Sequence, residues 1–181
     1  ANRIAKKFDA YTIGTIGSES KIDLLKEEGY DAWIVRSDHF RQDLQKTLDG
    51  QELNIVMECI GGKILKDGFR ILAPEGRMIV YGSARYATPG KRPNYLKLLY
   101  QYWKRPKIDP QGMIEWNKSI MGFNLIHLYH RKEKLAGFMQ GLQELDPGKP
   151  YIGHVFEFDQ LKESLRLFQT GKTRGKVVVR A

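Results

Sequence analysis

Short apolar runs alternate with stretches of helical periodicity along this chain, and that rhythm constrains the fold more than any single motif. The runs are Ala10 to Thr15, Ala32 to Val35, Leu53 to Ile60, Arg77 to Tyr81, Ser119 to Leu125, Gly153 to Phe158 and Lys176 to Arg180. Between them lie helical patterns from Ser18 to Glu28, His39 to Leu48, Ile64 to Leu72, Lys132 to Leu145 and Gln160 to Thr170. Largely apolar strands separated by helices are the mark of βαβ units, so the fold class is α/β, a Rossmann-like, doubly wound parallel sheet. Gly29 follows the first of these helices, where a left-handed cap favours a residue without Cβ.

A doubly wound dinucleotide domain opens with a strand and a Gly-x-Gly-x-x-Gly turn, whose glycines let the backbone approach a pyrophosphate. Here Ala1 to Phe8 reads as the tail of a helix, and Gly14-x-x-Gly17 follows a strand that already has a helix before it. The expectation is a domain truncated at its N-terminus, with the first strand and glycine-rich turn absent. Residues 1–150 would form that domain, followed by a separate C-terminal segment, 151–181.

The rhythm breaks after Gly82. Pro89-Gly90 and Arg92-Pro93 read as a loop, Asn94 to Lys104 as an amphipathic helix, and Pro106 and Pro110 as its end. The break coincides with the charge. Of the formal net charge of +9, eight units fall between Ala84 and Lys132, which hold ten basic and two acidic residues. The same stretch carries eight of the twenty aromatic residues. The basic character therefore belongs to one inserted segment, residues 84–118 with its continuation to Lys132, and not to the fold as a whole. Leu96, Leu98, Leu99, Tyr100, Tyr102 and Trp103 beside Lys97, Lys104 and Arg105 would suit either a lid or a helix docking on an anionic membrane surface or an acidic partner. Nucleic-acid binding is disfavoured, because no recognised RNA-binding motif accompanies the charge.

No stretch approaches the roughly 20 apolar residues of a membrane span, and the single cysteine, Cys59, points to a reducing, cytoplasmic setting. Apolar neighbours make a buried, inert thiol its expected state. The four histidines show no metal-ligand spacing and no partnered Cys or Asp. No catalytic residue and no metal site is readable in the chain.

Several blocks, in order, carry a specific resemblance: Ala5 to Lys21, Leu25 to Gly29, Asn54-Ile-Val-Met-Glu-Cys-Ile-Gly-Gly62, Gly76-Arg-Met-Ile-Val-Tyr-Gly-Ser83, Gly122-Phe-Asn-Leu125 and Gly171-Lys-Thr-Arg-Gly-Lys-Val-Val-Val179. Together they resemble the C-terminal half of a medium-chain dehydrogenase/reductase. The similarity is greatest to the zinc-free NADPH:quinone oxidoreductases and their vesicle amine transport protein-like branch. The resemblance implies hydride transfer from NADP(H) to a quinone or an α,β-unsaturated carbonyl, with any zinc ligands in the other half. It also implies a homodimer formed through the sheet edge near Met121 to Ile126. Alone, the chain is expected to bind NADPH poorly and to be inactive.

Individual positions support that reading on chemical grounds. An NAD enzyme places an Asp or Glu at the end of the second strand to hold ribose hydroxyls. The window from Thr15 to Ser18 has no carboxylate, and Ser18 and Lys21 follow as neutral and cationic donors, which suits a 2′-phosphate. The resemblance assigns Ser18 and Lys21 to that phosphate and Arg36 to the adenosine end. The helix-cap role of Ser18 stands as the alternative. Cys59 and Gly61, then Tyr81, Gly82 and Ser83, then Gly122, Phe123 and Leu125 fall at carboxyl ends of later strands, where open α/β sheets bind ligands.

Overall fold

The computed structural model describes residues 1–87 and 93–181, so the loop expected at Pro89-Gly90 and Arg92 lies outside the described residues. The alternation becomes seven strands and eight α-helices among the described residues. The strands are β1 (Ile13–Ile16), β2 (Ala32–Val35), β3 (Ile55–Glu58), β4 (Arg77–Val80), β5 (Ser119–Gly122), β6 (Ile152–Glu157) and β7 (Lys176–Arg180). The helices are α1 (Asn2–Lys6), α2 (Ile22–Glu27), α3 (Phe40–Leu48), α4 (Gly62–Ile71), α5 (Tyr95–Trp103), α6 (Pro110–Glu115), α7 (Lys132–Leu145) and α8 (Leu161–Gln169).

Every strand pair is parallel, as the helical crossovers require. The pairing falls into three ladders, β1-β2, β3-β4-β5 and β6-β7. β5 is therefore an edge of the central ladder. β1 pairs with β2 and β3 with β4, and β1 and β3 are not hydrogen-bonded to one another.

Packing joins the first two ladders. Ile34 of β2 and Phe40, Leu44 and Leu48 of α3 form a buried cluster, against which Ile13, Leu53, Ile64 and Ile71 pack. The Phe40, Leu44, Leu48 spacing is the i, i+4, i+8 stripe of an amphipathic helix. Met78 is fully enclosed and Leu72 nearly so; burying each contributes roughly 1.5–3 kcal/mol. Lys118 closes the far end of α4 by donating to the Arg70 carbonyl at 3.0 Å, a cation on the negative end of the helix. Burial lowers its pKa.

α1 is tied to distant chain. Arg3 bonds both carboxylate oxygens of Glu28, at 2.8 and 2.6 Å, and also donates to the carbonyls of Pro147 and Lys149. The Asn2 amide donates to the Glu28 carbonyl at 2.6 Å.

Three expectations shift. Pro110 begins a helix instead of only ending one: it occupies the first turn of α6, where its missing N–H costs nothing, and Asp109 Oδ1 accepts from the Gln111 N–H at 3.2 Å. The strand expected to reach Leu125 stops at Gly122, because Asn124 Oδ1 accepts from the Ile126 N–H at 3.1 Å and starts a 3₁₀ turn over Leu125–Leu128. The helix expected from Ser18 begins as a 3₁₀ turn, Glu19–Lys21, and becomes α-helical only at Ile22.

Candidate functional site

At the carboxyl ends of the strands, one side chain ties the exit of β2 to that of β1. Arg36, the residue after β2, turns back across the end of β1, where its Nη1 donates to the Thr15 carbonyl at 3.0 Å and reaches Thr15 Oγ1 at 3.4 Å. A Cβ on Gly17 would stand 3.0 Å from Arg36 Nη2, so glycine there leaves room for the guanidinium. Burial pulls the Arg36 pKa down, against a smaller opposing electrostatic influence from the Cys59 and Glu58 side. A cation thus spans from the β1 exit towards the β3 exit.

At β3, Glu58 is 3% exposed. Its Oε1 accepts the N–H groups of Ile60 and Gly61, each at 2.8 Å, while Oε2 is enclosed with no hydrogen-bond partner. These bonds hold the turn into α4, where Gly61 and Gly62 have φ of +85° and +63°. Such angles are costly for any residue with a Cβ. The adjacent exit is stitched to the same turn: Tyr81 N–H donates to the Glu58 carbonyl at 2.9 Å and Ala84 N–H to the Cys59 carbonyl at 2.8 Å. A Cβ on Gly82 would come within 3.0 Å of Cys59 Cβ, so the two exits touch. Ser83 Oγ lies 3.5 Å from where a Gly61 Cβ would be. A hydrogen bond with Cys59, then burial, pushes the Tyr81 phenol up to about 12.

The structure therefore gathers Thr15, Arg36, Cys59, Gly61, Tyr81, Gly82 and Ser83. Gly122, Phe123 and Leu125 line the next exit; Phe123 N–H donates to the Val80 carbonyl at 2.9 Å, and Phe123 and Leu125 are 46% and 45% exposed. Ser18 caps its 3₁₀ turn, accepting from the Ser20 N–H at 3.4 Å. Lys21 faces away towards the C-terminal segment, donating to the Gly171 carbonyl at 3.3 Å. Cys59 is partly exposed instead of fully buried.

Two site residues were not singled out by the sequence. Glu58 had a visible signal, a carboxylate inside an otherwise apolar strand. Arg85, whose side chain lies over Gly61 and Gly62, had none, since it was one of ten cations between Ala84 and Lys132.

The zinc-binding dehydrogenase family model matches residues 1–141. The chain belongs to that family. Its solved neighbours share the α/β fold. It is 28% identical over 182 residues to the human synaptic vesicle membrane protein VAT-1 homolog, covering 99% of this chain and 46% of that protein. It is 27% identical to the quinone oxidoreductase-like protein 2 homolog of Nematostella vectensis, covering 97% of this chain and 45% of that one. The chain thus spans about half the length of the curated relatives it matches. Among solved structures, a probable oxidoreductase from Mycobacterium abscessus superposes with a TM-score of 0.74 at 21% identity, over 100% of this chain and 50% of that one. CurA from Vibrio vulnificus, in complex with NADPH, superposes with a TM-score of 0.68 at 20% identity, over 99% and 52%.

Among the described residues no cluster of three or more His, Cys, Asp or Glu side chains could hold a metal, so the zinc of the family's name enters no step derived from this chain. No helix among them is long and apolar enough to cross a membrane.

The insertion stands apart from the strand exits in character. α5 is exposed over most of its length, with Leu96 at 82% and Trp103 at 79%, while Leu98 and Gln101 are half-buried. Apolar grooves of about 410 and 490 Å³ flank it, the first lined by Tyr86, Tyr95, Leu98, Leu99 and Tyr102. Arg105 stands 4.0 Å over the Tyr102 ring.

Proposed function

We propose that this chain is the cofactor-binding half of an NADPH-dependent oxidoreductase that delivers hydride to a quinone or an α,β-unsaturated carbonyl. The observation that carries this reading is Arg36 lying across the β1 exit, where no carboxylate is present. A guanidinium at the adenosine end attracts a 2′-phosphate, whereas a carboxylate would repel it. The NADPH held by CurA and the quinone oxidoreductase-like name of the Nematostella relative support the cofactor and the acceptor class.

The residues fit a dinucleotide. Thr15 and Arg36 would hold the adenosine end, joined by Ser18 on leaving its turn-capping bond and by Lys21 on leaving the Gly171 carbonyl. The Cys59–Gly61 turn and Tyr81–Ser83 offer close backbone approach along the middle. Gly122, Phe123 and Leu125 would flank the nicotinamide, which when bound supplies the hydride. Tyr81 keeps its proton throughout the physiological range and serves as a neutral donor. We infer further that residues 1–150 are the cofactor domain and 151–181 the return to the catalytic half, with the edge strand β5 joining two copies.

The test is NADPH oxidation by the full-length protein, followed at 340 nm against quinones and enones. Turnover with NADPH preferred over NADH is the expected result; tight NADPH binding with no turnover on any acceptor would overturn the enzyme reading.

A second reading is favoured by α5. Its exposed leucines and tryptophan beside Lys97, Lys104 and Arg105 have the composition of a helix lying at an anionic bilayer surface, and the human relative is by name a vesicle membrane protein. Co-sedimentation with phosphatidylserine vesicles, lost on deleting residues 93–105, is the expected outcome. Binding unchanged by that deletion would exclude it.

A further inference from the structure

We propose that Arg85 is a positioning residue that makes the inserted helix α5 part of the cofactor site. The proposal rests on the cofactor reading above.

The Arg85 backbone N–H donates to the Ile60 carbonyl at 2.9 Å, fixing the residue beside the β3 turn. Its side chain then runs over both glycines of that turn. A Cβ on Gly61 would stand 2.9 Å from Arg85 Cδ, and one on Gly62 would stand 2.8 Å from Nη1. The two glycines therefore meet a steric demand as well as a conformational one. At the far end, Arg85 Nη2 donates to the Gln101 carbonyl of α5 at 2.9 Å, and the guanidinium stands 5.3 Å from the Tyr86 ring centre.

α5 has no other strong hold on the strand exits. None of its residues is buried. Among the described residues, the bond from Arg85 to Gln101 is the side-chain hydrogen bond that joins it to them. Among the described residues Arg85 Nη1 and Gln101 Oε1 are both enclosed and without a partner, a donor and an acceptor on the two residues of the junction. Enclosed polar groups left unmet are costly, so the junction gains from any rearrangement that pairs them. The junction is therefore easily shifted, and one side chain transmits the shift. A ligand that orders the Cys59–Gly62 turn orders Arg85, and Arg85 seats α5.

The experiment measures amide hydrogen exchange over Tyr95–Trp103, with and without NADPH, together with the NADPH dissociation constant. It uses the full-length protein and its Arg85→Ala and Arg85→Lys variants. Without NADPH, Arg85→Ala should speed exchange across α5 about tenfold, the loss of one charge-assisted hydrogen bond. NADPH should slow exchange in α5 of the unaltered protein and not in Arg85→Ala, whose dissociation constant should rise about tenfold by the same loss. Arg85→Lys keeps the charge without the fork, and should recover part of the protection. If Arg85→Ala loosens the whole chain, a change confined to α5 in Arg85→Lys still supports the proposal. Exchange in α5 that ignores Arg85, or that ignores NADPH while NADPH binds, overturns it. Absence of NADPH binding altogether sinks the cofactor reading and the coupling with it, and the measurement without NADPH then decides the seating of α5 alone.

Discussion

Arg36 donates to the Thr15 carbonyl at 3.0 Å, so the residue that closes β2 lies across the exit of β1. A long cation fixed by a backbone acceptor is pre-organised, which lowers the ordering cost of receiving a phosphate. Arg36→Ala in the full-length protein should raise KM for NADPH by about 10–100-fold, the worth of one or two charge-assisted bonds, and leave KM for NADH within about threefold. Parallel steady-state kinetics with both cofactors check this; equal loss for both would remove Arg36 from phosphate recognition.

Glu58 is a buried carboxylate serving two backbone donors at 2.8 Å. Glu58→Ala strands the Ile60 and Gly61 N–H groups in the protein interior and should cost about 2–4 kcal/mol of stability. Glu58→Gln retains an acceptor of the same shape and should cost less than half of that. Urea unfolding of the pair measures the difference.

Asp31 accepts from Lys6 and from the Thr12 N–H, and these bonds hold its carboxyl below the usual aspartate range. With a folded-state pKa below that of the unfolded chain, its contribution is complete above the ordinary aspartate pKa and disappears as pH falls through the folded value. Asp31→Asn should therefore lower Tm at neutral pH and have progressively less effect as the medium is acidified below pH about 4. Thermal melts across that range give the answer, and a deficit that stays constant with pH would show that the charge is immaterial.

Tyr81 is held up to about 12, first by its hydrogen bond with Cys59. Cys59→Ala should bring one late-titrating tyrosine back towards the ordinary phenol value near 10. The raised pKa also means that any stability Tyr81 lends is intact below pH about 10 and fades as pH climbs through the folded value. Ultraviolet titration of tyrosinate in the two proteins distinguishes them, provided that Tyr81→Phe removes the same late step.

Much of the fold was legible because it is local. The Phe40, Leu44, Leu48 stripe and the apolar run of β4 each announce one element, and each formed where the pattern lay. Punctuation was harder: Pro110 starts α6 because Asp109 stands before it, and proline alone marks either end of a helix. The site was legible only in part. Glycines and strand ends indicated where the exits lie, but Arg36 reaching Thr15 and Arg85 covering Gly61 are contacts between residues 21 and 24 positions apart in the chain. No periodicity encodes them.

The anchoring of α1 has a kinetic side. The bond from Arg3 to the Pro147 carbonyl joins residues 144 apart, and the one to Lys149 spans 146. Contacts of such sequence separation carry the largest loop-closure entropy and form late. α1 can therefore close onto Glu28, 25 residues away, before it closes onto Pro147 and Lys149, and its docking is complete only when segments 144 and 146 residues apart have met.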